Sequence, residues 1–502
     1  MLCYNVLMSR ARKMKISLGG FVVFLICFCG VFIGIQFFTK TGFFRVPGVV
    51  YYDDSLRSDE VAMLEQIFDE EVDLDKDVTI SAHEYLVRPD IQPGEYIYNI
   101  YVPVTDFYST TNNIVAESPE SLFADPYMGE INFEMVAIDD LDFSHKLLSI
   151  NDDYYLDNFD SGAVFRVIKF ESDKFSDEVE PLVAEKFKKD FPTRESVLSF
   201  AQTGVTALSR GMNEKLVKVG GDATYFAENI KDFLSAFDLT HTSNESSFTD
   251  YANSKNICSD KRFIDTLLTI GLDIVELTGN HNQDCGDEAA ADAIDLYNEN
   301  NIKIVGGGKT AAEAAVPLEI TEKNNDIMFF AYNLSTGGAT YDDTPGANQY
   351  YEEKAAEEIS MAKNEGKFVI VDIQYYECSN YDSTYENTSC DYADSSAGDQ
   401  VGFFRHLVDL GADIVVGTSA HQPQTFELYN DGSIYYGLGN LFFDQVLWPG
   451  TTRSLILEHY FYKGKLLQTR IAPTAYDNNM QTKLLDNETT EWFIERLTNA
   501  RP

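Results

Sequence analysis

Two stretches of the chain repeat one order of hydrophobic and polar positions. The first copy has a helix face, a glycine and an apolar strand, at Phe263, Ile264, Leu267, Leu268, Gly271 and residues 273–279. The second copy has the same parts, at Phe403, Phe404, Leu407, Val408, Gly411 and residues 413–417. A glycine that ends a helix and precedes a buried strand is typical of a parallel αβ crossover. We therefore expect the loops 279–284 and 417–422 to meet at one edge of a sheet.

The other hydrophobic patterns predict an α/β chain with two folded domains. Apolar, β-branched and aromatic runs predict strands at 96–105, 163–171, 197–202, 302–308, 368–373, 433–444, 454–462 and 465–471. Apolar positions at helical spacing predict helices at 61–68, 178–188 and 225–237. We expect an N-terminal α/β domain at 51–190, a second domain at 196–475, and a C-terminal tail with a helix at 476–502.

The net negative charge of the chain limits the classes of molecule that it can bind. Its 502 residues include 38 Lys and Arg and 81 Asp and Glu, a net charge of −43. Such a surface repels nucleic acid and anionic lipid headgroups, so we expect no nucleic-acid partner. An anionic polymer would need a local basic pocket or cations to approach it.

The N-terminal segment predicts a membrane anchor. Residues 16–38 contain no charged side chain and are long enough to cross a bilayer. Basic side chains precede them, at Arg10, Arg12, Lys13 and Lys15. The positive-inside rule then predicts a single-pass cell-membrane protein with residues 1–15 in the cytoplasm, a linker at 39–50 and the rest outside. A cleaved signal peptide is the alternative, but the apolar run is long and no clear cleavage site follows it.

Four cysteines follow the predicted anchor, at Cys258, Cys285, Cys378 and Cys390. An even number in an oxidising compartment allows two disulfides with three possible connectivities. We favour Cys258–Cys285 and Cys378–Cys390, because each pair closes a loop beside a candidate site segment. The chain has no Cys-x-x-Cys pair, which argues against a thiolate zinc site.

The loop after the first repeated strand carries candidate chemistry. It contains Gly279, Asn280, His281 and Asp284, between an apolar strand and an alanine-rich helix. Loops at the carboxyl ends of strands form the ligand crevice of open α/β sheets, and these side chains suit a metal or a phosphate. The alternative is a Gly-Asn turn with a capping aspartate.

Five short motifs in this order resemble the poly-γ-glutamate capsule synthesis protein CapA family, which is similar to the calcineurin-like metallophosphoesterases. The motifs extend over residues 196–444 and include Thr203-Gly204 with Arg210, Asn244-Glu245-Ser246, Gly279-Asn280-His281 with Asp284 and Gly286, Gly411-Ala412-Asp413 through His421, and Leu438-Gly439-Asn440 through Asp444. The resemblance implies a four-layer α/β/β/α sandwich with a metal site at the sheet edge. It also implies a role with an anionic envelope polymer and, as partners, subunits of a capsule synthesis complex.

This chain departs from the family pattern at the metal positions. Val205 and Gln374 stand where the family has Asp and His, and only His421 remains of a Gly-His-His-Pro-His loop. A dinuclear hydrolase needs several anionic and imidazole ligands, and valine offers no lone pair. We therefore expect at most one divalent cation, Mn²⁺, Zn²⁺ or Mg²⁺.

The resemblance suggests a role for each remaining side chain. Glu245, Asn280 and His421 would bind the cation, and His281 would be the general acid, with Asp284 orienting its ring. Two further side chains, Glu377 and Asp372, could substitute as ligands for the lost histidine. Arg210 would bind an anionic substrate group, or else be a structural arginine.

Three hypotheses follow. The chain is a membrane-anchored metal-dependent hydrolase of phosphoester or related type in envelope polymer synthesis or export, or a catalytically inactive relative that binds a polymer or partner. The third is a sensor or binding protein, because residues 101–108, 135–142 and 147–150 resemble lobes of periplasmic substrate-binding proteins.

Overall fold

The computed structural model describes residues 49–69, 77–124, 127–128, 131–171, 180–335, 337–378, 380–386, 398–448 and 450–502. The predicted membrane anchor at 16–38 and the cytoplasmic segment at 1–15 lie outside these residues. Within the described ranges, no helix has the length and apolar character needed to cross a bilayer.

The described residues form strands and helices along the whole of their length. The strands are β1 Val50–Tyr52, β2 Val78–Tyr85, β3 Glu95–Asp106, β4 Asn113–Ile114, β5 Tyr127–Met128, β6 Ile131–Asn132, β7 Glu134–Ala137, β8 His145–Leu147, β9 Ser149–Ile150, β10 Val164–Glu171, β11 Leu198–Thr206, β12 Leu239–Asn244, β13 Phe248–Thr249, β14 Ser259–Asp260, β15 Ile274–Glu276, β16 Lys303–Val305, β17 Gly307–Gly308, β18 Leu318–Glu322, β19 Asn325–Asn333, β20 Gly346–Ala347, β21 Phe368–Gln374, β22 Ile414–Gly417, β23 Phe426–Tyr429, β24 Gly432–Tyr435, β25 Asn440–Phe442, β26 Arg453–Tyr462, β27 Lys465–Tyr476 and β28 Thr482–Leu484. The α-helices are α1 Ser58–Asp69, α2 Pro119–Ala124, α3 Tyr155–Asn158, α4 Glu180–Lys186, α5 Gly211–Lys218, α6 Lys231–Leu234, α7 Ile264–Thr269, α8 Asp287–Glu299, α9 Ala311–Ala314, α10 Glu352–Asn364, α11 Gln400–Asp409 and α12 Asn487–Asn499. Short 3₁₀ turns occupy Ile138–Asp140, Ala223–Ala227 and Lys261–Phe263.

The chain forms two compact units. The smaller unit contains Asp90–Tyr98, Val167–Lys189 and the described residues up to His83. In it, β1 pairs parallel with β2, and helices α1 and α4 cover an apolar core. That core contains Leu64, Ile67, Val78, Ile80, Ala82, Ile168, Phe170, Val183 and Phe187. The predicted helices at 61–68 and 178–188 correspond to α1 and α4.

The larger unit contains Glu84–Pro89, Asn99–Arg166 and Asp190–Pro502, and two large sheets dominate it. The first sheet has the order β16-β15-β12-β11-β26-β27-β28, and the second has the order β18-β19-β21-β22-β24-β23. Strands β11, β12, β15 and β16 are parallel, as are β19, β21, β22 and β24. The parallel crossovers predicted from the two repeats are therefore confirmed.

Three apolar clusters arrange the larger unit in layers. Side chains from both sheets, including Phe200, Ile274, Phe329, Ile370 and Ile414, form one cluster between the sheets. Helices α5, α7 and α8 pack on the first sheet through a second cluster, and helices α10 and α11 pack on the second sheet through a third. The result is an α/β arrangement with two inner sheets and two outer layers of helices.

The structure corrects two details of the repeats. The strands β15 and β22 belong to different sheets, so their loops do not share one sheet edge. They meet instead where the carboxyl ends of the two sheets face each other. Leu268 is also 42% exposed, so it does not belong to the buried helix face. Gly271 and Gly411 end their helices with positive φ angles of 71° and 121°, as expected for glycine after a helix.

Two predicted elements are interrupted. The helix predicted at 225–237 is a 3₁₀ turn over Ala223–Ala227 followed by α6, with Ile230 between them at φ −127°. Phe226, Ile230 and Leu234 are all buried in one cluster, so packing rather than helical periodicity decides the backbone. The strand predicted at 433–444 is two strands, β24 and β25, which pair in different sheets.

Candidate functional site

A loop packs closely against a carboxylate where the two sheets meet. Glu245 follows β12 directly, and the loop after β15 begins at Gly279. A Cβ atom at Gly279 would lie 2.6 Å from the Cα and 2.8 Å from the Cγ of Glu245. Only glycine allows this approach, which brings Asn280 and His281 into the same region.

Glu377, after the end of β21, accepts hydrogen bonds from two side chains of this loop. Its Oε1 accepts from Asn280 Nδ2 at 2.9 Å and lies 3.1 Å from His281 Nε2. The Asn280 Oδ1 in turn accepts a bond of 3.2 Å from Gln374 Nε2. These contacts join the loop of the first sheet to a strand of the second.

His421 enters the same cluster from the loop after β22. Its Nε2 lies 3.7 Å from Glu245 Oε2 and 3.8 Å from Glu377 Oε1, distances too long for hydrogen bonds. Its Nδ1 lies 2.9 Å from Asn440 Oδ1, which sets the plane of the buried ring. Asn440 is buried and also donates to Gln445 Oε1, so its own orientation is determined.

Glu245 carries an unsatisfied carboxylate. The residue is fully buried, and neither carboxylate oxygen accepts a hydrogen bond from the residues that the structure describes. Burial raises the pKa of Glu245 to about 7, although His421 and His281 act in the opposite direction. A buried carboxylate without a partner is costly, so this position suits a proton or a bound cation.

His281 lies between two carboxylates. Its Nδ1 is 2.9 Å from Asp284 Oδ2, and its Nε2 faces Glu377. Burial disfavours its charge, but hydrogen bonds to Asp284 and Glu377 outweigh burial and raise the pKa of His281 to about 10. The hydrogen bond from His281 and the nearby charge of His421 hold the pKa of Glu377 well below its usual range. At neutral pH, His281 is therefore a cation that can donate a proton.

Arg210 lies beside the cluster and is paired with a carboxylate. Its Nη2 and Nε contact Asp444 Oδ1 at 2.6 and 3.2 Å, and its guanidinium lies 4.6 Å above the Phe443 ring. That ring is 5.3 Å from the ring of His421. The contacts agree with the structural alternative for Arg210, at the edge of the site.

The two family positions that changed have different surroundings. Val205 is buried, and its backbone N–H donates to Gly439 O at 2.8 Å. The Gln374 side chain reaches Asn280, but its buried Oε1 has no hydrogen-bond partner within the described part of the chain. Of the two suggested substitutes, Glu377 reaches the cluster, whereas Asp372 contacts Gln202 between the sheets.

A disulfide stabilises the chain next to this loop. Cys258 and Cys285 are bonded, as predicted, with Cα atoms 6.3 Å apart. Cys285 directly follows Asp284, and its carbonyl accepts from Tyr251 Oη at 2.9 Å. Cys390 lies outside the described residues, so the Cys378–Cys390 pairing stays a prediction.

Across the described ranges, no three His, Cys, Asp or Glu side chains already have the spacing of a metal site. The cluster nevertheless combines two carboxylates with two imidazoles around the unsatisfied oxygens of Glu245. The types of side chain in the cluster suggest a bound cation, whereas their spacing is not yet that of a metal site.

Comparison with known proteins agrees with the five motifs. Residues 199–445 match a family model described as bacterial capsule synthesis protein PGA_cap, a range that contains every site residue named above. The chain belongs to the CapA family of capsule synthesis proteins.

Three relatives illustrate how divergent this CapA family member is. It is 24% identical to the PGA biosynthesis protein CapA of Bacillus subtilis over 288 residues, which cover 56% of this chain and 72% of that protein. It is 27% identical to the capsule biosynthesis protein CapA of Bacillus anthracis over 194 residues, 38% of this chain and 44% of that protein. A probable polyglutamine synthesis accessory protein of Mycobacterium tuberculosis is 24% identical over 274 residues, 50% of this chain and 68% of that protein.

The roles of two residues in the cluster around Glu245 were not predicted from the sequence. Glu377 was considered only as a substitute ligand, although it contacts more of the cluster than any other carboxylate. Asn440 was part of a motif without a role, and the structure shows it orienting His421. The available signals were the position of Glu377 shortly after a buried strand and the place of Asn440 in a family motif.

Proposed function

We propose that this CapA family member acts in the synthesis or export of an anionic envelope polymer of the poly-γ-glutamate type, with other subunits of a capsule synthesis complex. The names of the relatives support the polymer and the accessory role. We further propose that the cluster around Glu245 binds one divalent cation and that the protein catalyses hydrolysis there. The observation that carries this activity is the group Glu245, Glu377, His281 and His421 at the meeting point of both sheets.

The donor set fits a cation. Glu245 offers two buried oxygens that accept no hydrogen bond from any described residue, and Glu377 adds a carboxylate where the family histidine is lost. Together with the Nε2 of His421, these groups suit Mn²⁺ or Zn²⁺ better than Mg²⁺, which prefers oxygen ligands. A bound cation would polarise the substrate oxygen and lower the pKa of a water molecule. Asn280 remains a possible ligand through Oδ1, which now accepts a bond from Gln374.

The protein's own groups supply the proton and the orientation. His281 holds a proton between Asp284 and Glu377 and can donate it to a leaving group, which is general acid catalysis. Asp284 keeps the imidazole plane fixed, and Asn440 does the same for His421. Arg210, at the rim, can still offer its Nη1 N–H groups to an anionic substrate.

The same proposal includes the architecture and location. The two sheets with outer helices support the metallophosphoesterase-like sandwich that the resemblance implies. The uncharged segment at 16–38 and the basic residues before it support a single-pass anchor in the cell membrane. The Cys258–Cys285 disulfide supports an oxidising location for the folded units.

An inactive polymer-binding or partner-binding role is the second candidate. Val205 and Gln374 favour it, because neither replaces the charge of the family residue. In that case, the hydrogen bonds of Glu377 with Asn280 and His281 would be the final state of the cluster, without a cation.

Elemental analysis of the full-length protein in detergent, with Mn²⁺ and Zn²⁺ titrations, distinguishes the two candidates. We expect about one cation per chain, and its loss in Glu245→Gln and Glu377→Gln. The exposed Glu488→Gln is the matched control. Retention of the metal in both site variants would contradict the ligand assignment. Absence of metal at saturating concentrations, together with polymer binding, would replace hydrolysis by the binding role.

A further inference from the structure

A cavity lies in the larger unit, away from the candidate site. Its volume is about 320 Å³, and none of its lining residues belongs to the cluster around Glu245. Residues that follow β3, residues of β8 and β27, and one side of α12 form its walls. This volume is at the lower end of the range for small-molecule pockets.

The walls of the cavity are fixed by contacts between distant parts of the chain. The Leu147 N–H donates to Gln468 Oε1 at 2.6 Å, which joins β8 to β27. The rings of Phe107 and Phe426 meet edge to face with centroids 5.9 Å apart. The cavity is therefore largely formed before any ligand binds.

One of the two cations in the wall is already neutralised. Arg470 Nη2 binds Glu458 Oε2 at 2.6 Å, and its Nη1 binds Asp157 Oδ2 at 2.9 Å. Its guanidinium also lies 4.3 Å above the ring of Tyr154. Arg470 therefore forms part of the wall and has little capacity left for a ligand.

Lys146 is different. Its Nζ donates to Ser109 O at 2.6 Å, and among the described residues no carboxylate lies within ion-pair distance of it. An ammonium group has three N–H donors, so two remain for a ligand. A half-buried cation with no carboxylate in ion-pair contact is unusual in a chain with a net charge of −43, and Glu491, which also lines the cavity, acts on Lys146 only from beyond that distance.

The amine keeps its charge at neutral pH. Burial lowers the pKa of Lys146 to about 8, and Glu491 on α12 opposes that shift. The other charged groups that face the cavity, Glu458 and Arg470, neutralise each other. Lys146 is therefore mainly protonated at pH 7, but partial desolvation makes an added anion favourable.

We propose that this cavity binds a small organic anion, in which a carboxylate or phosphate contacts Lys146 and an apolar body packs against Phe107, Phe426 and Ile494. The polar residues Ser109, Asn112 and Thr490 also line the cavity. This binding site is independent of the cation and of hydrolysis at the Glu245 cluster.

Calorimetry on the full-length protein in detergent at pH 7 tests the site with three probes: N-acetyl-L-leucine, its neutral amide and butyl phosphate. We expect one or both anions to bind with a Kd below about 10 mM and the amide to bind at least about tenfold more weakly. Stronger binding of either anion identifies whether carboxylate or phosphate is preferred. The affinity should also fall as the pH rises above about 8, because Lys146 then loses its charge.

Three variants complete the test. Lys146→Met should weaken anion binding at least about tenfold, whereas Lys146→Arg and the exposed control Lys483→Met should retain it. Equal affinity for the acid and the amide, unchanged binding in Lys146→Met, or no binding of any probe would overturn the proposal. If Lys146→Met does not fold, Lys146→Arg and the acid–amide comparison still decide the outcome.

Discussion

Glu377→Gln removes the charge that connects the two sheets at the site while keeping the size of the side chain. The carboxylate accepts from Asn280 at 2.9 Å and lies 3.1 Å from His281 Nε2. An amide can still accept from Asn280, but it has no charge to stabilise the His281 imidazolium. The pKa of His281, raised to about 10 in the parent, should therefore fall.

The size of the shift follows from this pair. An adjacent opposite charge changes a pKa by about 1–3 units, and each unit corresponds to about 1.4 kcal/mol. We expect a fall of that size, to a value still above 6.5, because Asp284 stays 2.9 Å from Nδ1. The interactions of the His281 imidazolium with its carboxylates raise this pKa and stabilise the fold. Their contribution to the free energy of unfolding is complete below about pH 6.5 and is lost as the pH rises through about 10. In Glu377→Gln, this stabilisation should therefore be lost at a lower pH than in the parent protein.

NMR titration of ¹³C-labelled histidines in metal-free protein measures the shift directly. The His281→Gln spectrum identifies the resonance among the seven histidines. Glu488→Gln, on the surface of α12, is the control and should leave the titration unchanged. A parent His281 that titrates near 6.5, or one that does not respond to Glu377→Gln, would refute the proposed charge arrangement.

Three further predictions concern stability. Replacing both Cys258 and Cys285 with serine should lower the free energy of unfolding by about 3–4 kcal/mol, because the bond closes a loop with a sequence separation of 27; denaturant unfolding with unchanged stability would contradict this. Gly279→Ala places a Cβ 2.6 Å from the Cα of Glu245, so we expect a loss of about 1–3 kcal/mol by thermal unfolding and weaker cation binding. Burial raises the pKa of Asp372 well above its usual range, so its carboxyl group should be neutral. The neutral replacement Asp372→Asn should therefore lower the free energy of unfolding by less than about 1 kcal/mol. A decrease as large as that of Asp372→Leu would indicate an ionised carboxylate.

The sequence predicted the parts of the site but not their contacts. The loops with Asn280, His281 and His421 were identified because each follows a buried strand, and the carboxylate of Glu245 was identified from a family motif. The contacts of Glu377 were not predictable, since its partners are 97 and 96 residues away in the chain. Local periodicity marks the end of a strand but does not indicate which side chain of another strand faces it.

A buried polar network between the sheets shows the same limit. Gln202 Nε2 donates to Asp372 Oδ1 at 2.6 Å, and His459 Nε2 lies 3.2 Å from Gln202 Oε1. His241 Nε2 is 3.2 Å from Asp372 Oδ2. These residues come from four strands, and nothing in the pattern of any one strand distinguishes them from surface polar residues.

The sequence by itself determined the family and the αβ repeats with Gly271 and Gly411, and it favoured the pairing of Cys258 with Cys285 that the structure contains. These depend on local signals: helical spacing, glycine after a helix, and short motifs in a characteristic order. Tertiary structure alone decided that the two repeated strands belong to different sheets, and it interrupted the helix predicted at 225–237. The physical reason is that sheet membership and side-chain partners depend on packing between distant segments, and the burial of a cluster can outweigh the local preference of any one of them.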